Sequence, residues 1–185
     1  MAIGHNGLDI ISLSTLRESI ACQSQAALAS FNVTTSWKGG FKSESACNPS
    51  VINGNTDLPT NKFIHADEPV TLGGTGISPN PQELMLAAFN ACLTAAYVTA
   101  AVEAGVVLEK LQIQTSGALD LQGFLSRDGN IHSDSIRYTI TVKGSGTRAQ
   151  FEKIHQTVIA TSPNRWIIGK NLLIEGDQIV EHSHS

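Results

Sequence analysis

The sequence predicts an α+β fold. Three observations carry that expectation: an uncharged run from Leu84 to Val102 behind a clear helix-start signal, two stretches of period-two alternation after it, and a second helical pattern stopped by Pro163. Along the chain, residues 8–30 place Ile10, Leu13, Leu16 and Ile20 at helical spacing and predict an N-terminal helix, which sets residues 1–30 apart as an extension. "FNVTTSWKGGFKSESA" reads as a hairpin turning at Gly39-Gly40, and "KFIHADE" as a further strand. "LGGTGISPN" reads as a loop, since its glycines come without the G-K-[ST] or strand-fed G-x-G-x-x-G context of a phosphate cradle.

The long helix opens with Asn80 as cap, Pro81 at the first helical position and Glu83 completing a variant capping box. Gly105 ends it after about 25 residues, or roughly 37 Å. Such a run can be tested against a membrane span, but it is rich in alanine, no Lys or Arg cluster flanks it, and soluble-looking strands follow. A helix apolar on all sides instead suits the enclosed centre of a compact domain or dimer, where its alanines let other backbones approach. "EKLQIQTSGALDL" and "SDSIRYTITVKG" are the alternating strands. A second helix spans about Thr147 to Ser162, and "NLLIEGDQIV" reads as a last strand before a frayed tail at 181–185.

Composition narrows the function. The chain has 185 residues, 41% apolar and 15% charged, with a net charge of −4, which fits one soluble domain without the basic stripe that nucleic acid requires. Cys22, Cys47 and Cys92 are too few and too irregularly spaced for a disulfide framework or a zinc site, which fits a reducing cytoplasm. The N-terminal "MAIGHNGLDI" does not read as a secretory signal. Cys92 lies mid-helix, and on composition alone it is either a small buried hydrophobe or a reactive thiol.

The stretch "DEPVTLGGTGISPNPQELMLAAFNACLTAA", followed by a second helix ending "IATSPNRW", resembles the OsmC/Ohr family, the osmotically induced and organic hydroperoxide resistance proteins. The likeness covers roughly residues 31–180. Its most specific part is the Asn80-Pro81, Glu83-Leu84 and Ala91-Cys92 arrangement. The resemblance implies antiparallel sheets around a long central helix and a second helix, and an intertwined homodimer with two sites at its interface. It also implies peroxide reduction by cysteine thiols, with a small-molecule hydroperoxide as substrate, a thiol as reductant, and no cofactor or metal.

Four parts make up the site that the resemblance implies: a peroxidatic cysteine on the central helix, an arginine, a glutamate that orients it, and a resolving cysteine on the second helix. Cys92 matches the first. At the resolving position stands Ser162, before Pro163, and a serine cannot form a disulfide. The glutamate's position is Gln82, about 80° around the helix from Cys92, whereas Glu83 is about 180° away and better placed to cap. The arginine's position is Phe41, with Lys42 one residue on and a strand-face away. Arg165 could supply the missing cation or lie on the surface, with Trp166 beside it.

Cys47 reads as an ordinary thiol or a replacement resolving residue, His65 as a half-buried imidazole or a base, and His182 and His184 as part of a frayed end or an adventitious metal-binding pair. Two functions stay open. One is a one-cysteine thiol peroxidase, regenerated by an external thiol, that serves oxidative stress defence. The other is a non-catalytic dimer of the same fold that binds a small apolar ligand. Neither involves nucleic acid or a membrane.

Overall fold

The computed structural model describes residues 5–22, 27–56, 61–122, 125, 135–170, 174–176 and 178. Helix α1 (Ile10–Cys22) is followed by β1 (Ala29–Ser30), β2 (Val33–Trp37), β3 (Ser43–Cys47), β4 (Val51–Ile52), β5 (Asn55–Thr56) and β6 (Phe63–Ala66). The long α2 (Pro81–Glu103), β7 (Leu108–Gly117), β8 (Ile136–Gly144), α3 (Arg148–Thr161) and α4 (Pro163–Ile168) complete the order. All pairing is antiparallel, in three open sheets ordered β1-β4-β5, β2-β3-β6 and β7-β8.

Both ends of α2 form as their residues dictate. Asn80 Oδ1 accepts from Glu83 N at 2.8 Å while Glu83 Oε2 accepts from Asn80 N at 2.9 Å, so the capping box satisfies donors that the first turn would leave unpaired. At the other end Gly105 takes φ 66°. There Gly105 N donates to Val102 O and Val106 N to Ala101 O, the paired bonds of a Schellman motif, with Val106 and Ala101 buried together.

The core forms on one stripe of α2. Phe89, Leu93, Tyr97, Ala100 and Ala101 pack with Val106 and with Ile154 and Val158 of α3. Leu111 and Ile113 of β7 and Tyr138, Ile140 and Val142 of β8 alternate with exposed residues and cover this cluster, as period two requires. Asn90 ties α2 to β7, accepting from Thr115 Oγ1. By length and composition α2 could cross a membrane, but this stripe packs against β7 and α3.

Several elements differ from expectation. Within one chain α2 is not enclosed: Ala87, Ala88, Ala91 and Ala95 remain exposed, because β7, α3 and α4 cover one side of it. The described part of the N-terminal helix spans Ile10–Cys22, and Ala29 and Ser30, expected within that helix, instead pair with Ile52 and Val51 as a strand. Strands β4 and β5 turn at Asn53-Gly54, both at positive φ, a hairpin signal that the sequence reading passed over. Pro163 does more than stop α3: it is the first residue of α4. Most of the expected last strand, at 171–180, lies outside the described residues, as does the tail with His182 and His184.

The extension is anchored to the domain. Asn6 Nδ2 donates to Val106 O at 2.9 Å and its Oδ1 accepts from Leu108 N at 2.8 Å, so one side chain clamps the turn between α2 and β7. Arg17 forms an ion pair with Glu103 at the end of α2.

Candidate functional site

Gln82, Met85, Phe89 and Cys92 recur at three- and four-residue steps and therefore share a face of α2. Cys92 is half-buried, and its Sγ lies 3.4 Å from Ser162 Oγ. Ser162 is only 2% exposed, a buried polar residue at the joint between α3 and α4. Its N–H donates to Val158 O at 3.0 Å to end α3, and its Oγ accepts from Arg165 N at 3.4 Å to cap α4. Asn164 Nδ2 donates to Ala88 O at 3.0 Å and holds the start of α4 on α2, one turn before Cys92. The contact between Cys92 and Ser162 thus depends on two helices joined by a single residue.

An open groove of about 1070 Å³ is lined by residues of α2, β7, β8 and α4, without Cys92 or Ser162 among them. Gln82, Met85 and Phe89 form its α2 wall, Tyr138 its β8 wall, and Arg165, Trp166 and Lys170 the far side. Phe89 and Tyr138 stack in a tilted pair with ring centroids 5.8 Å apart. Arg165 Nη1 donates to Ile159 O at 3.3 Å, which directs the guanidinium along α3.

The structure does not bring the other sequence candidates to the thiol. Glu83 is engaged in the capping box. Phe41 and Lys42 sit in the β2–β3 turn, where Lys42 N donates to Gly39 O at 3.1 Å and the Phe41 ring lies beside Gly73. His65 faces Glu44 across the β3–β6 pair, with Nδ1 3.9 Å from Oε2, and Lys38 lies 2.9 Å from the same carboxylate. That imidazole is exposed rather than half-buried. Cys47, on β3, pairs with Val33 of β2, and all three cysteines are free thiols. Among the described residues, Ser162 is the hydrogen-bond partner of Cys92.

The family model for OsmC-like proteins matches residues 74–174, more than half of the chain. The chain belongs to the OsmC family. The matched span contains α2, Cys92, Ser162 and Arg165. It excludes the turn that carries Phe41 and Lys42. Solved OsmC structures share the fold at low identity. An OsmC-like protein from Mycoplasma pneumoniae is 13% identical, with TM-score 0.59 over 76% of this chain and 87% of its own. An OsmC-like protein of unknown function from Vibrio cholerae is 13% identical, with TM-score 0.52 over 76% of this chain and 94% of its own. The organic hydroperoxide resistance protein OhrB of Bacillus subtilis is 19% identical, with TM-score 0.48 over 77% of this chain and 92% of its own. No curated protein sequence matches the chain.

In this OsmC-family chain, sequence reasoning missed Phe89, Tyr138, Asn164 and Lys170 as groove or joint residues. Phe89 and Tyr138 carry ordinary core periodicity, and nothing local marks a core residue that also walls a cavity. The loop before α2 is held by another unforeseen group. Asp67 is 1% exposed and accepts from Glu68 N at 2.9 Å, Thr75 N at 3.0 Å and Thr75 Oγ1 at 2.5 Å. The Thr75 hydroxyl, joined by these backbone N–H groups, holds its carboxyl below the ordinary carboxylate range.

Proposed function

We propose that this OsmC-family chain is a thiol peroxidase in which Cys92 reduces an organic hydroperoxide and an external thiol regenerates it. The observation that carries this reading is the 3.4 Å contact between Cys92 Sγ and the buried Ser162 Oγ. It brings together the two positions that the family resemblance assigns to peroxide reduction. Ser162 Oγ accepts from Arg165 N and lies within hydrogen-bond reach of Cys92 Sγ, with either atom of that pair able to donate.

In the reaction the Cys92 thiolate attacks the peroxide's terminal oxygen. The S–O bond forms as the O–O bond breaks, the alkoxide takes up a proton and leaves as an alcohol, and two electrons pass from sulfur to oxygen. Cys92 is left as a sulfenic acid. Ser162 cannot supply a second sulfur, so an external thiol condenses with the sulfenic acid, releasing water, and a second thiol frees Cys92 by exchange. We assign the protein to the cytoplasm, where its free cysteines stay reduced, and to a homodimer, with no cofactor, metal, nucleic acid or membrane in its chemistry.

The test is a mass-spectrometric map after one equivalent of cumene hydroperoxide and a dimedone-type probe. Cys92 is expected to carry the adduct and Cys22 to remain essentially unmodified, although Cys22 is exposed. An adduct chiefly on Cys22 or Cys47 removes Cys92 from its role.

A further inference from the structure

We infer that Asn164 is a positioning residue of this site: its side-chain amide fixes the joint between α3 and α4 on α2 and thereby keeps Ser162 against Cys92. Its effect on the reaction rests on the peroxidase reading above; its hold on the joint does not. Ser162 and Asn164 flank Pro163, the first residue of α4, whose ring fixes the backbone between them. Where one is held, the other is held too. Ser162 Oγ lies 3.4 Å from Cys92 Sγ, and Asn164 Nδ2 donates to Ala88 O at 3.0 Å. Ala88 and Cys92 are four residues apart on α2, on one face and roughly 6 Å apart along the axis. The joint therefore meets α2 at two points one turn apart. A single contact would let it pivot, whereas two fix its direction as well as its place.

The two points are also linked through the backbone of α2. Ala88 O is the carbonyl that the helix ladder gives to Cys92's own N–H, and its two lone pairs admit the Asn164 amide as a second donor. Asn164 thus grips the turn that carries Cys92. Its amide is not spent on the start of its own helix, because Ser162 Oγ already caps α4. Helix α4 has six residues, none of them buried, far below the length at which a helix is stable alone, so its place depends on ties of this kind. When Cys92 attacks as a thiolate its sulfur carries no proton, and across the contact only Ser162 Oγ can donate. Keeping that hydroxyl within reach is what Asn164 contributes to the reaction.

The experiment uses the full-length Ser162→Cys chain, because a disulfide between Cys92 and the introduced thiol reports how closely the two positions are held. Its equilibrium in glutathione redox buffers, read by mass spectrometry, gives the effective concentration of one thiol at the other within the folded protein. Adding Asn164→Ala, or Asn164→Asp, which is isosteric but offers Ala88 O no donor at neutral pH, should lower that effective concentration about fivefold, the population change that one net hydrogen bond supports. Ile154→Val in the same background is the control: it thins the buried core of α3 and lowers overall stability, and it should leave the effective concentration unchanged. With the native serine in place, Asn164→Ala should slow the formation of the Cys92 sulfenic acid by cumene hydroperoxide, trapped with a dimedone-type probe. An effective concentration that Asn164→Ala leaves unchanged, or that Ile154→Val lowers equally, overturns the positioning role and leaves the peroxidase reading standing. Failure of the disulfide to form in Ser162→Cys overturns that role as well. A parent chain whose Cys92 takes no dimedone adduct overturns the peroxidase reading and with it the effect of Asn164 on the reaction, while a fivefold fall in the redox buffers then still supports its hold on Ser162.

Discussion

Ser162 takes part in three interactions with one short side chain and its backbone: it ends α3, caps α4 and lies against Cys92. Replacing it separates these. Ser162→Ala removes the acceptor of Arg165 N and should cost about 1 kcal/mol of stability, typical of a lost N-cap and measurable by urea denaturation. Ser162→Cys keeps the size and places a second sulfur where the hydroxyl now sits 3.4 Å from Sγ. Peroxide should then drive an intrachain disulfide between Cys92 and the introduced thiol, seen as a loss of two hydrogen atoms by mass spectrometry. With a dithiol reductant this variant should consume hydroperoxide faster than the parent, because a neighbouring thiol captures the sulfenic acid before over-oxidation. A disulfide without faster turnover would mean that activation of Cys92, rather than its resolution, limits the rate. No disulfide in a folded protein would contradict the joint geometry.

The loop from Asp67 to Pro79 shows how an element can depend on one buried charge. Asp67 N donates to Pro79 O at 3.2 Å, closing the loop, and the Asp67 carboxylate gathers Glu68 N and Thr75 from inside it. Gly74 passes so near this turn that a Cβ there would sit 1.8 Å from Glu68 O, which is why a glycine occupies the position. The loop delivers the chain to Asn80 and so sets where α2 begins. Asp67's folded pKa lies below the unfolded value near 3.8, so its contribution to stability is fully present above that value and is lost as pH falls through the lower folded value. Asp67→Asn should lower the melting temperature at pH 7 and flatten the acid side of the stability profile below about pH 4. Thermal melts from pH 7 to pH 2 measure both. A variant with the parent's acid limb would show that Asp67 does not hold the loop.

At the scale of the molecule, the uncovered face of α2 becomes an argument about assembly. Trp37 is 77% exposed, and Val33, Phe41, Phe63, Ile64 and Met85 are also open. No residue of β2, β3 or β6 is buried, so this sheet extends from the chain without a core of its own. Apolar surface on this scale on both a helix and a sheet is the basis for proposing a partner, and a second copy would offer matching surfaces through two-fold symmetry. Light scattering should therefore give about twice 19.6 kDa at micromolar concentration. A stable folded monomer would refute the shared core.

By itself the sequence determined what depends on neighbours within a few residues. The Asn80–Glu83 box, the stop at Gly105, the strand alternation and the helix capped at Thr147 follow from local hydrogen bonding and periodicity, and each forms. Family spacing also singled out Cys92 and Ser162. Only the tertiary structure decided that these two meet, since they are 70 residues apart and their contact requires α3 and α4 to be packed onto α2. It likewise decided that Glu83 is committed to its cap, that Phe41 and Lys42 turn beside Gly73, and that Arg165 and Gln82 face one groove. Those outcomes depend on which faces of distant elements come together, and spacing along the chain carries no record of that.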